Sequence, residues 1–256
     1  MSSNPVITSR DNPWVKELKK LAQDNTAYRK QGRFWVEGDH LIRAALTRGV
    51  TPESLVVSAS FDPAAHPTIA QAAPKSVAMS DQVFQEISGL ASPATVGAVF
   101  ALPSQDMLTA VNTVVLDRVQ DAGNVGSILR SAAGFGFKQV LAIKGTAALW
   151  SPKVLRAGMG AHFGLRLVEG LEEGDLQGLN LPLLVTSSHQ GEFIHQLALP
   201  KPCAWVMGHE GQGVSPTLMA RATQFVRIAQ PGGEESLNVA AAAAICLHAS
   251  ATHPAS

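Results

Sequence analysis

The second half of the chain carries five short apolar segments, separated by stretches long enough for helices. These segments are residues 113–116, 139–143, 182–186, 203–207 and 224–228. Apolar runs of this length, without polar alternation, are typical of strands buried on both faces of a parallel sheet with helical connections. We therefore expect an α/β fold with a mostly parallel sheet in this half.

The first hundred residues show the same alternation on a smaller scale. Asn12 and Pro13 suit the start of a basic amphipathic helix, in which Trp14, Leu18 and Leu21 recur at helical spacing. Further strand-like and helix-like segments follow at residues 33–37, 41–46, 55–57 and 95–100. This pattern predicts a small α/β unit.

A candidate linker, Leu102–Asp106, carries a proline and polar residues between two strand-like segments. We therefore expect two domains, residues 1–104 and 105–256. The length of 256 residues suits one small and one medium domain, and 46% hydrophobic with 16% charged residues is an ordinary globular composition.

Several classes of protein are disfavoured by what the sequence contains. No run approaches the roughly 18 apolar residues of a membrane span, and the N-terminus does not follow a signal-peptide plan. We therefore expect a cytoplasmic protein with no membrane association. The two cysteines, Cys203 and Cys246, form no CxxC motif, so they predict small buried residues and no metal site.

The net charge of zero conceals a basic N-terminal region. Residues 1–50 contain nine Lys/Arg and five Asp/Glu, whereas the remainder contains eleven and fifteen. A basic region attracts polyanions such as RNA, although it is also consistent with an ordinary solvated helix face. The residues that would contact phosphates are Arg10, Lys16, Lys19, Lys20, Arg29, Lys30 and Arg33.

Three loops follow predicted strands and contain polar residues suited to a ligand site. In the first, Asn124 and Arg130 follow the strand 113–116 and a glycine-bearing turn. Ligands of α/β proteins bind at the carboxyl ends of strands, so both side chains are candidates for one crevice. The loop has neither GxGxxG nor GxxxxGK[ST], which disfavours dinucleotide and P-loop binding.

The second loop has three glycines around Glu210 and a helix start at Ser215-Pro216. Glu210 is interpreted either as an exposed turn carboxylate or as a partner for arginine or ligand. The third loop passes through Pro-Gly-Gly to Ser236 and Asn238 at the mouth of an alanine-rich helix. One of these two residues is explained by helix capping, whereas the other is not.

Together these loops resemble the three motifs of the SpoU (TrmH-type) RNA ribose methyltransferases, over residues 112–249. The segments Ile7–Pro13 and Phe34–Gly38 are similar to that family's substrate-binding domain, which has an L30e-like fold. The resemblance implies a deep trefoil knot in the C-terminal domain, S-adenosylmethionine as the cofactor, no metal, and a homodimer. It also implies RNA as the substrate.

Applied residue by residue, the resemblance assigns roles to eight positions. The implied active-site residues are Asn124, Arg130, Glu210, Ser236 and Asn238, and the implied cofactor-binding residues are Gly208, Ile228 and Leu237. The sequence Ile228-Ala229-Gln230 departs from the family's usual Ile-Pro-Met, a change at the cofactor's adenosine end. His209 matches no invariant family position.

The resemblance makes Arg130 the catalytic centre. A guanidinium group, with a pKa above about 12, rarely releases its proton, so we favour a positioning and charge-stabilising role over that of general base. The expected reaction is methyl transfer to a ribose 2′-hydroxyl of ribosomal RNA. Transfer RNA as substrate, a non-catalytic RNA-binding protein of the same fold and a nucleotide-dependent oxidoreductase are the alternatives.

Overall fold

The computed structural model describes residues 6–187, 189–232 and 236–252, which divide into two compact units. The first unit contains the described residues up to Ser104 together with Trp150–Phe163. The second contains Gln105–Leu149 and the described residues from Gly164 onward. Each unit has its own sheet and its own buried core.

The helices and strands are numbered in chain order. The helices are α1 Pro13–Gln23, α2 Ala27–Gln31, α3 Asp39–Thr47, α4 Pro67–Ala70, α5 Asp81–Ser88, α6 Ala122–Gly134, α7 Pro152–Gly158, α8 Pro216–Ala220 and α9 Val239–Thr252. The strands are β1 Arg33–Glu37, β2 Ser54–Ser58, β3 Ser76–Met79, β4 Val96–Ala101, β5 Thr113–Leu116, β6 Gln139–Ile143, β7 Arg166–Leu171, β8 Leu183–Thr186, β9 Glu192–Phe193, β10 Ala204–Met207 and β11 Gln224–Arg227.

Helix α1 begins as the sequence predicts. The Asn12 side chain accepts a hydrogen bond from the Trp14 backbone N–H at 2.9 Å, and Pro13 occupies the first turn. The buried positions are Val15, Leu18, Leu21 and Ala22. Trp14 lies at the margin of this face, half-buried, with the Lys75 ammonium 5.2 Å from its ring centre.

The sheet of the first unit has the strand order β1-β4-β2-β3. Strand β4 is antiparallel to both of its neighbours, whereas β2 and β3 are parallel. Phe34 on β1 stacks on Phe100 of β4 and packs against Trp150, with ring centres 5.4 and 4.5 Å apart. This aromatic cluster is part of the unit's core. Strand β3 was missed by the sequence analysis, because its residues alternate between buried and more exposed positions and form no long apolar run.

The sheet of the second unit has the order β7-β6-β5-β10-β8-β11-β9, and every described pairing in it is parallel. Five of its strands lie where the apolar segments predict them, which confirms the α/β class. The half-buried β7 and the two-residue β9 were not predicted, because neither has a continuous apolar run. The trefoil knot stays a prediction.

The parallel pairing of the strands determines where the candidate site lies on the sheet. Because neighbouring parallel strands point the same way, the loops after β5, β10 and β11 leave the sheet at one edge, which we call the carboxyl edge. Helix α6 follows β5 and packs against α9, which follows β11. The three polar loops therefore share this edge.

Both cysteines are buried, as predicted. Burial raises the pKa of the Cys203 thiol to about 11, so it stays protonated at neutral pH. Within the described ranges, no helix has both the length and the hydropathy that a bilayer crossing requires.

Candidate active site

The first loop is shorter than the sequence suggests. Helix α6 begins at Ala122, capped by the Asp121 carboxylate, which accepts from the Asn124 backbone N–H at 2.7 Å. Gly123 and Asn124 therefore lie in the first helical turn, and the predicted glycine turn before the helix is wrong. The consequence is that the Asn124 side chain projects from a helix, which holds it more rigidly than a loop would.

The Glu210 carboxylate joins the second loop to the start of α6. It accepts hydrogen bonds from the backbone N–H groups of Gln120 at 3.1 Å and Asp121 at 3.0 Å. It also accepts one from the Asn124 side-chain amide at 3.1 Å. A carboxylate at a helix N-terminus is further stabilised by the helix dipole. Glu210 is exposed, as the first interpretation has it, and its partners are an asparagine and two backbone N–H groups rather than an arginine.

Asn238 completes this network from the third loop. Its amide nitrogen donates to the Asn124 carbonyl oxygen at 3.0 Å. Its own carbonyl oxygen accepts from the backbone N–H groups of Ala240 at 2.8 Å and Ala241 at 3.3 Å, so it caps α9. Asn238 is thus the capping residue of α9. Its amide oxygen caps the helix, and its amide nitrogen binds Asn124. The three loops are linked through Asn124.

The pKa of Glu210 reports the strength of this network. Partial burial raises the pKa, but the hydrogen bonds from Asn124, from the Gln120 and Asp121 backbone and from its own backbone outweigh that effect. The result is a pKa lowered from its ordinary 4.5 to about 2. Glu210 is therefore ionised at neutral pH and is a weak base.

A second link between the first and second loops was missed by the sequence analysis. The fully buried carboxylate of Asp117 accepts from the Ser215 backbone N–H at 2.6 Å and from the Arg118 Nε at 2.7 Å. Arg118 adopts a φ of +59°, in the left-handed region, and also reaches Gln212 at 3.4 Å. The sequence carried one signal for this pair, since Asp117 and Arg118 are charged and directly follow a buried strand.

Arg130 lies on α6, six residues after Asn124 and so about 9 Å further along the helix axis. Its side chain is exposed, and it has no hydrogen-bond or ion-pair partner among the described residues. An arginine that is not used by the fold is free to meet a bound anion.

The remaining predicted residues differ in their exposure. Ser236 and Leu237 are exposed, Ile228 is half-buried and Gly208 is buried. A Cβ atom at Gly208 would lie 2.3 Å from the Gly213 carbonyl carbon, so the second loop folds tightly back on this position. Only glycine therefore fits at this position.

A bound S-adenosylmethionine fits these loops by the chemistry of the groups that they leave available. The Gln230 side-chain oxygen is buried and has no hydrogen-bond partner within the described part of the chain. A buried amide oxygen without a donor costs free energy that a ligand amino group would recover. Ile228 and Leu237 lie in the same loop as Gln230, and Gly208 lies in the second loop; all three would supply backbone groups. No group of three or more His, Cys, Asp or Glu residues suited to a metal occurs among the described residues.

The basic residues of the first unit have unequal environments. Arg10, Lys16 and Arg33 form exposed ion pairs with acidic side chains. Lys16, Lys19 and Lys20 line a surface groove of about 370 Å³ on α1, together with Gln23 and Asp24. Exposed ion pairs are weak, so phosphates would compete for these cations.

Two family models match the chain. The SpoU rRNA Methylase family covers residues 112–248, and the MRM3-like substrate binding domain covers residues 12–98. The first match contains all three loops of the carboxyl edge, and the second contains the basic helix α1.

Three similar proteins agree with these matches. The Bacillus subtilis 23S rRNA (guanosine(2553)-2′-O)-methyltransferase RlmP is 30% identical over 94% of this chain and 97% of its own. The human mitochondrial rRNA methyltransferase 3 is 37% identical over 56% of this chain and 36% of its own. The crystal structure of AdoMet-bound rRNA methyltransferase from Sinorhizobium meliloti is 27% identical, with a TM-score of 0.82 over 96% of both chains.

The parallel sheet and its linked polar loops define an α/β domain whose candidate site lies at the carboxyl edge. The chain belongs to the SpoU rRNA methylase family.

Proposed function

We propose that this protein transfers a methyl group from S-adenosylmethionine to a ribose 2′-hydroxyl of ribosomal RNA. The observation that carries this proposal is the hydrogen-bonded chain Glu210–Asn124–Asn238, which joins the three family motifs at one edge of the sheet. The exposed Arg130 on the same helix as Asn124 supplies the one cation of the family pattern.

The cofactor supplies an electrophilic methyl group on a sulfonium. Gly208, Ile228 and Leu237 would hold it through backbone groups, with the Gln230 side-chain oxygen available to accept from an amino group. Because Gly208 lies against the Gly213 backbone, the second loop would contact the cofactor through its main chain rather than through side chains. These residues bind and orient the cofactor.

Arg130 would act on the ribose. Its positive charge would stabilise the oxygen charge that develops as the hydroxyl passes its proton to solvent water and takes the methyl group from the sulfonium, or would hold the adjacent phosphate. Glu210 is unsuited to removing that proton, because its pKa is about 2 and its carboxylate already accepts three hydrogen bonds. Glu210 and Asn124 instead fix the start of the helix that carries Arg130.

Ribosomal RNA is supported as the substrate by two kinds of evidence. Two similar proteins, from Bacillus subtilis and from human mitochondria, are rRNA methyltransferases by name. The first unit matches a substrate-binding domain and carries the Lys16, Lys19 and Lys20 groove. Cationic side chains at such a surface contact phosphates and position RNA without reading its sequence.

We also propose that the protein acts as a homodimer. Helix α9 is rich in apolar residues, and its buried face is formed by Ala243, Cys246, Leu247 and Ser250. Ile245 on the opposite face is 40% exposed, and Leu237 just before the helix is 38% exposed. An exposed helix face that carries alanines and an isoleucine favours burial, and a second copy of this chain would cover it.

The test is methyl transfer to defined RNA. The purified protein is incubated with labelled S-adenosylmethionine and either unmodified ribosomal RNA or unmodified transfer RNA, and the label is mapped to a nucleotide and an atom. Label on a ribose 2′-oxygen of ribosomal RNA is the expected result. Label on transfer RNA would support that alternative substrate, and RNA binding without any label would support the non-catalytic alternative.

The Arg130→Ala variant shows whether the label is transferred by this protein or by a contaminating methyltransferase. It should transfer no label above background, whereas Lys138→Ala, which removes an exposed cation of the same unit, should match the wild type. Equal labelling by the wild type and Arg130→Ala would contradict an active site at Arg130.

A further inference from the structure

The imidazole of His209 accepts two backbone hydrogen bonds within the second loop. Its Nδ1 lies 2.9 Å from the Gly211 backbone nitrogen and 3.1 Å from that of Gln212. An imidazole nitrogen accepts only when it carries no proton, so the ring is neutral with its hydrogen on Nε2. The ring can therefore hold the turn only in this neutral form, in which Nδ1 carries no proton.

The turn held by this ring is also closed by the main chain at its ends. The His209 N–H donates to the Gly213 carbonyl at 3.0 Å, and the Gly213 N–H donates back to the His209 carbonyl at 2.8 Å. Gly213 has a φ of +68°, which suits glycine. Of the three N–H groups between these ends, the ring accepts hydrogen bonds from those of Gly211 and Gln212.

Glu210 lies inside this five-residue turn, directly after the histidine. Its carboxylate must reach the Gln120 and Asp121 backbone and the Asn124 amide at the same time. A turn that loses its inner hydrogen bonds samples more conformations, and the carboxylate then meets these three donors for a smaller fraction of the time. The ring geometry therefore controls the network that joins the three motifs.

We infer that His209 is a positioning residue, whose neutral ring holds the turn that directs Glu210 toward Asn124. The inference rests on the proposed methyltransferase function for its kinetic consequence. His209 need not touch RNA or cofactor in this role, and it acts through Glu210.

Other contacts keep the loop in place when the ring is removed. The Asp117 carboxylate binds the Ser215 backbone N–H, and Arg118 reaches the Gln212 side chain. The loop as a whole therefore stays attached to the first motif. Loss of the ring should change turnover far more than global stability.

Asparagine is the substitution that can restore the role of the histidine. A short side chain with an acceptor oxygen forms hydrogen bonds to the N–H groups two and three residues later, as Asn and Asp commonly do in turns. Asn238 does the same in this protein, to Ala240 and Ala241. His209→Asn thus preserves the acceptor, whereas His209→Leu removes it at similar size.

The kinetic experiment compares His209→Asn and His209→Leu with the wild type. His209→Leu should lose about tenfold in kcat, the equivalent of about 1.4 kcal/mol, with KM for RNA and Kd for the cofactor within about twofold. His209→Asn should stay within about twofold in all three. A His209→Leu variant with wild-type kcat, or a His209→Asn variant as slow as His209→Leu, would overturn the inference.

Nuclear magnetic resonance tests the same inference without activity. Proton–nitrogen correlations of the His209 ring should show an unprotonated Nδ1 and a protonated Nε2, and a proton on Nδ1 would overturn the assignment. The Asn124 side-chain amide signals should shift in His209→Leu and return in His209→Asn; unchanged signals in His209→Leu would also overturn it. If these signals behave as expected while the wild type methylates no RNA, the proposed function alone fails.

Discussion

The side-chain amide of Asn124 donates to the Glu210 carboxylate across 3.1 Å, although 86 positions separate the two residues in the chain. The same amide group accepts from Asn238 through its oxygen. One side chain at the start of α6 therefore fixes residues from both other loops.

Asn124→Asp should nearly abolish turnover. The new carboxylate cannot donate to Glu210, and it places a second negative charge beside the first. We expect a loss of about a hundredfold or more in kcat. Single-turnover methylation measures it, and Asn180→Asp, at an exposed position of the same unit, controls for the added charge. Turnover within about threefold of the wild type would show that the Asn124–Glu210 contact is dispensable.

Arg130→Lys should lower turnover without lowering the stability of the fold. Lysine keeps the charge but loses the planar, two-pronged donor geometry of arginine. We expect a fall in kcat of about a hundredfold, and a free energy of unfolding within about 0.5 kcal/mol of the wild type, since Arg130 is exposed. Near-full turnover with unchanged RNA affinity would argue against a role in stabilising the developing charge.

Glu210→Gln should lower stability in a pH-dependent way. The folded-state pKa of about 2 lies below the ordinary 4.5, so the ionised carboxylate stabilises the fold fully above about pH 4.5 and loses this effect as the pH falls toward 2. The difference in unfolding free energy between wild type and variant, measured by urea titration, should therefore be constant near neutrality and shrink below about pH 4.5.

A matched variant checks that this pH dependence belongs to Glu210. Glu192→Gln removes an exposed carboxylate of the same unit for which the described residues provide no hydrogen-bond partner. Its difference from the wild type should stay near zero throughout. A Glu210→Gln difference that is the same at pH 6 and pH 3 would mean that the carboxylate has no depressed pKa.

Gly208→Ala should weaken cofactor binding. The added Cβ would meet the Gly213 carbonyl carbon at 2.3 Å and the Val214 nitrogen at 2.4 Å, and neither backbone atom can move without opening the loop. We expect a destabilisation of about 1–3 kcal/mol and a clearly higher Kd for S-adenosylmethionine. Calorimetry measures both.

Gly174→Ala is the control, since a Cβ there meets nothing within 4 Å. It should leave Kd unchanged. Equal affinity of Gly208→Ala and wild type for the cofactor would place the cofactor elsewhere.

Ile245→Glu should dissociate the proposed dimer. It places a charge at the centre of the open face of α9, where the second copy would otherwise bury an apolar side chain. Analytical ultracentrifugation should find a dimeric wild type and a monomeric, less active variant. Leu108→Glu, at a residue outside α9 that is 38% exposed, should remain dimeric. A monomeric wild type with full activity would rule out the dimer proposal.

Local signals in the sequence determined much of this fold. Short apolar runs identified β5, β6, β8 and β10, because strands covered on both faces leave no polar alternation. Strand β11 was identified as well, although it contains Gln224 and Arg227. Asn12 and Ser215 marked the starts of α1 and α8, because a capping side chain needs only the N–H groups two or three residues later. Such features depend on neighbours in the chain.

The tertiary structure decided which of the candidate residues meet. The parallel order of the strands brings together Glu210, Asn124 and Asn238, whose contacts depend on backbone positions fixed by distant pairings. Two further contacts became visible only in the tertiary structure. They are the hydrogen bond from Ser215 to the buried Asp117 and the hydrogen bond to the His209 ring from its own turn. Hydrogen bonds require a fit of a few tenths of an ångström, and no residue pattern in a linear sequence specifies positions that closely.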